Sequence, residues 1–137
     1  MHKIFFLIFL FLFSATGVVA QRNQNWALVA DRIDEALTRA LDTYKKGQTG
    51  QATEDVADAY FGIFEGEKAN MEIAVRRHLS LKRATALENA FTHIRKAMNS
   101  KTSVKEVHQM TRDLIEELKK AAHDLDRKGV GLDVGYQ

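Results

Sequence analysis

Apolar positions recur at spacings of three and four along most of the chain, and that period is helical. Trp26, Val29, Ile33, Leu37, Ala40, Leu41 and Tyr44 mark a first face, ended by Lys45, Lys46 and Gly47. Cations favour the negative end of a helix dipole, and a glycine there accepts the left-handed turn that closes it. A second stripe runs from about Thr53 to Leu79 through Val56, Tyr60, Ile63, Phe64, Met71, Ala74, Val75 and Leu79. Gly62 and Gly66 interrupt it, so the stripe is either one helix kinked near Gly66 or two shorter ones. A third begins at Ser80, a good N-cap, and carries Leu81, Ala84, Leu87, Phe91, Ile94 and Met98 before Asn99 and Ser100 end it. A fourth opens on the capping box Ser103-Val104-Lys105-Glu106. It continues through Val107, Leu114, Leu118, Ala121 and Leu125 to Lys128-Gly129. No strand-like alternation is sustained. The fold expected is all-α, an antiparallel four-helix bundle over residues 21–128 with a flexible tail at 129–137.

The first twenty residues follow a different pattern. His2 and Lys3 precede an unbroken apolar run from Ile4 to Phe13, and Val18-Val19-Ala20 places small residues before Gln21. This is the layout of a cleavable signal peptide at 1–20. The ten-residue run is short for a membrane span of about 20 residues. The mature chain is thus expected to have no span of its own and to work in the periplasm or another extracytoplasmic space.

Composition then narrows the chemistry. The 137 residues include no Pro and no Cys. Without Cys there is no disulfide scaffold, thiolate zinc site or iron–sulfur cluster. Oxygen and imidazole remain as the strong metal donors. The formal charge is +2, which argues against a nucleic-acid partner held by phosphate contacts. No nucleophile elbow, phosphate loop or dinucleotide fingerprint is present, so an enzyme is not expected. None of the histidines after the leader has a Glu three residues before it, which argues against a ferritin-like di-iron centre. Met71, Met98 and Met110 leave room for a non-covalent haem bundle, although core packing is the simpler role for them.

The chemistry that stands out is the carboxylates of the second and third stripes. On one ideal helix Glu67 falls between Ile63 and Met71 on the apolar face, with His78 further along it. Glu65 and Glu72 share another face with Asp58, where they either hold a cation or pair with neighbours such as Arg76. Glu88 lies at the margin of its helix's apolar face, with Arg95 or a lysine as its simplest partner.

Asp58-Ala59-Tyr60-Phe61, Phe64-Glu65, Met71-Glu72 and Leu87-Glu88-x-x-Phe91-x-x-Ile94-Arg95 resemble the extracytoplasmic N-terminal helical domain of bacterial high-affinity iron permease family proteins. The resemblance covers about Val56 to Met98 and runs loosely on to Leu125. It implies a domain that binds iron or presents it to a membrane iron permease, in cis or in trans. It singles out Glu65, Glu72 and Glu88 as metal residues, with Glu67 and His78 as alternatives. The permease's own Arg-Glu-Gly-Leu-Glu type motif is absent. A helical interaction module that touches no metal is the competing reading.

Overall fold

A computed structural model describes residues 25–134. The proposed signal peptide, and the last three residues of the proposed tail, lie outside the described residues. Five α-helices make up most of the rest: α1 (Trp26–Lys45), α2 (Thr49–Ala59), α3 (Met71–His78), α4 (Leu81–Asn99) and α5 (Val104–Arg127). A π-helical turn, Tyr60–Phe64, continues α2. Among the described residues there is no strand.

Local chemistry sets most of the boundaries. The Asn25 side chain accepts from the Leu28 amide and starts α1. Gly47, at φ +78°, closes it. Ser80 accepts from the Arg83 amide and Ser103 from the Glu106 amide, so both expected N-caps are in place. The apolar face read for α1 is buried throughout, from Trp26 to Tyr44. Leu81 and Val104 are corrections, at 60% and 41% exposure. Each opens its helix, before the neighbouring helices cover that face.

The second stripe divides. The Glu65 amide donates to the Tyr60 carbonyl (2.8 Å), a reach of five residues, and the Gly66 amide donates to Ile63 (3.1 Å). The chain folds so tightly there that a Cβ on Gly66 would lie 3.0 Å from the carbonyl oxygens of both Gly62 and Ile63. Helix resumes only after Asn70, whose side chain caps the Ile73 amide (2.9 Å). The face drawn on one ideal helix is therefore lost. Glu67 lies exposed in the connecting loop, not on the core stripe. His78 ends α3, exposed, and its carbonyl accepts from Lys128 Nζ.

In the core, α1 packs on α2 and α5, α4 packs on α2 and α5, and α3 lies against α4 and α5. End-to-end contacts give directions. Asp126, near the C-terminus of α5, accepts from the Trp26 and Ala27 amides at the start of α1 (2.9 and 3.1 Å). At the opposite end, Tyr44 donates to the Thr102 carbonyl (2.5 Å). Helices α1 and α5 are thus antiparallel. The Arg83–Asp124 ion pair (2.7 Å) joins the start of α4 to the last turns of α5.

Residues 129–134 do not form the loose tail expected. The Val130 carbonyl accepts from the Trp26 indole (2.8 Å), the Val134 carbonyl accepts from Arg77, and the Val134 side chain is buried.

Candidate functional site

The π turn places Tyr60 inside the molecule and Phe61 outside it. Tyr60 packs with Phe64 and with Phe91 of α4, at ring separations of 5.7 and 5.2 Å, and Phe64 and Phe91 lie 5.2 Å apart. This aromatic wall joins α2 to α4 and carries the polar groups beside it. The Tyr60 hydroxyl donates to Glu65 Oε1 (2.6 Å). Burial, the bond to Glu65 and the charges of Glu65, Glu88 and Glu72 all hold the phenol above its usual pKa. Tyr60 is therefore a proton donor to Glu65 throughout the physiological range.

Glu72, in the first turn of α3, is buried at 7% exposure. A buried carboxylate needs a partner. Arg76, one turn on, supplies it: Nε and Nη2 both reach Glu72 Oε1 at 2.5 Å. The same Nη2 donates to Glu88 Oε1 of α4 at 2.8 Å. Two carboxylates from two helices thus meet on one nitrogen. Glu88 feels this crowding. Its own burial, a hydrogen bond shared with Glu72 and the charge of Glu72 raise its pKa, and Arg76 only partly opposes them.

The structure therefore sets Glu72 and Glu88 on Arg76 and Glu65 on Tyr60, whose phenol feels the charge of all three carboxylates. It does not gather Glu67 or His78, and Asp58 faces solvent beside Asp55 and Arg39. Arg95 is exposed, and Arg76 takes the partnership with Glu88 that the spacing assigned to Arg95. Among the described residues no three His, Asp or Glu side chains form a ready-made metal centre. Oxygen donors are present, but in this state an arginine lies between two of them.

Sequence reasoning missed Tyr60 as a polar group and Arg76 as the hub. The Tyr60–Glu65 spacing of five is a π-turn spacing, invisible to a search on a 3.6-residue period. Of the methionines, Met71 and Met98 are fully buried in the core, while Met110 shares with His93 a mostly apolar groove of about 270 Å³ between α4 and α5. No helix among the described residues is long and apolar enough to cross a membrane. No protein-family model, curated protein or solved structure matches the chain.

Proposed function

We propose that this chain is an extracytoplasmic helical domain serving iron uptake, and that it takes iron as cargo on Glu65, Glu72 and Glu88 for presentation to a membrane permease. The observation that carries the reading is the meeting of Glu72 and Glu88 on one Arg76 nitrogen, with Glu65 fixed nearby by Tyr60. Hard cations such as ferric iron prefer oxygen ligands, and this chain has no cysteine thiolate to compete. Arg76 acts as the internal counter-ion of the iron-free state. Its side chain is 38% exposed, so it can swing to solvent and release both carboxylates without repacking the core. A site that must first expel a cation binds weakly, which suits hand-over. The leader-like pattern at 1–20 supports export. The helix pairings support an antiparallel four-helix bundle of α1, α2, α4 and α5, with α3 as a short insert.

Calorimetric titration tests this, with ferrous iron under anaerobic conditions and ferric iron supplied as its citrate chelate. Saturable heat is expected from the unmodified chain and is lost in the Glu65→Ala/Glu72→Ala double variant. Absence of metal-dependent heat with the unmodified chain removes the metal-binding part. The second reading, an interaction module without metal, draws on the same Arg76 contacts, because they already neutralise Glu72 and Glu88. It expects Glu72→Gln and Glu88→Gln to change stability alone.

A further inference from the structure

Phe61 is the most exposed large apolar side chain among the described residues, at 62%. It sits on the outer side of the π turn, its ring edge-on to Tyr60 at 4.8 Å. Interruptions of this kind inside helices often mark functional positions, because they give up regular hydrogen bonding to aim a side chain. Phe61 forms one lip of a cleft of about 460 Å³ that α1 completes from the far side. Val29, Ile63 and Ala69 supply apolar wall, and Gly62 leaves open space where a side chain would stand. Two cations, Arg32 and Lys68, line the same cleft, and neither has an ion-pair partner among the described residues.

We infer that the Phe61 cleft is a docking surface for an acidic, aromatic-bearing segment of a partner protein. The two unpaired cations select negative charge, and the apolar walls beside an exposed aromatic select an apolar side chain; such aromatic anchors in small clefts carry most of the energy of protein interfaces. The shape favours a peptide over an anionic bilayer. The surface is concave, whereas a flat membrane would touch only its rim. Glu67 also lines the cleft, so the acidic groups of the segment meet Arg32 and Lys68 while an uncharged part of it faces Glu67. Through the Phe61–Tyr60 ring contact the cleft abuts the carboxylate cluster, so a partner docked here stands next to the cargo. The inference rests on the iron-uptake reading only for what that partner receives.

The test is a titration of the ¹⁵N-labelled full chain, free of iron, with a Glu-rich peptide carrying a single Phe. A peptide with Lys in place of every Glu serves as control. Saturable amide shifts are expected at Arg32, Phe61, Gly62 and Lys68 with the acidic peptide alone. Binding should weaken about tenfold in Phe61→Ser and again in the Arg32→Glu/Lys68→Glu variant, both surface changes that leave the core intact. No shift at these positions, equal shifts with the Lys peptide, or a response only to phosphatidylglycerol vesicles would overturn the inference. So would shifts at these positions that appear on raising protein concentration alone, which would assign the cleft to a second copy. Because iron is absent throughout, failure of the iron reading leaves this result unchanged.

Discussion

Arg76 is the residue on which the site's electrostatics turn. It holds Glu72 and Glu88 together at the cost of their mutual repulsion, and Glu88 answers by holding its proton more tightly than a free carboxylate. The sign of the consequence is fixed. A carboxylate whose folded pKa is raised binds more protons folded than unfolded, so it favours folding in acid and loses that contribution as pH rises through the raised value. The urea midpoint of the unmodified chain should therefore carry a downward component above pH 4.5 that Glu88→Gln removes. Asp124 works the other way. Its bond to Arg83 lowers its pKa below 3.8, so its contribution is present above that pH and fades as pH falls through the lowered value. Asp124→Asn should destabilise at neutral pH, and the difference from the unmodified chain should close in acid. The Glu72–Arg76 pair was readable from its spacing of four. The Arg76–Glu88 pair was not, because its partners sit on separate helices whose packing no local pattern encodes.

At the scale of elements, the legible parts were those whose ends are set by their own residues. Ser80 and Ser103 cap their helices, and Gly47 ends α1, by short-range bonds that sequence alone displays. Ser80→Ala should cost about 1 kcal/mol in chemical denaturation. The middle segment was only half legible, because Gly62 and Gly66 flagged a joint without saying how it bends. The bend depends on Tyr60 turning inward to meet Phe91, a contact across helices. That turn moved Glu67 out of the core and brought Glu65 to Tyr60. The two glycines should behave differently. Gly66→Ala places a Cβ 3.0 Å from two backbone oxygens and should cost about 1–3 kcal/mol. Gly62→Ala meets open space and should be close to neutral in the same assay.

The whole molecule is closed by contacts between its described ends. Asp126 caps α1 from another helix, Val130 takes the indole proton of fully buried Trp26, and Val134 returns to the core. A glycine-rich stretch with little periodicity gave no sign of this, since the partner that orders it lies about a hundred residues earlier. Truncation before Val130 strands a buried indole N–H and uncovers an apolar side chain, each worth about 1–3 kcal/mol. The single Trp makes the result easy to follow: its fluorescence should report an earlier unfolding midpoint in the truncated chain.

This closed frame holds Glu65, Glu72 and Glu88 on three separate stretches of chain, among which iron is proposed to sit. Paramagnetic broadening locates the ion directly. On adding one equivalent of ferrous iron anaerobically to the ¹⁵N-labelled chain, the amides of Glu65, Glu72 and Glu88 should broaden first, with the Arg76 Nε–H signal moving as its carboxylates are taken. Amides at the far end of the molecule, such as Thr102, should stay sharp. Broadening centred on another carboxylate group, such as Asp113 and Glu117, or none at all, would exclude iron from Glu65, Glu72 and Glu88.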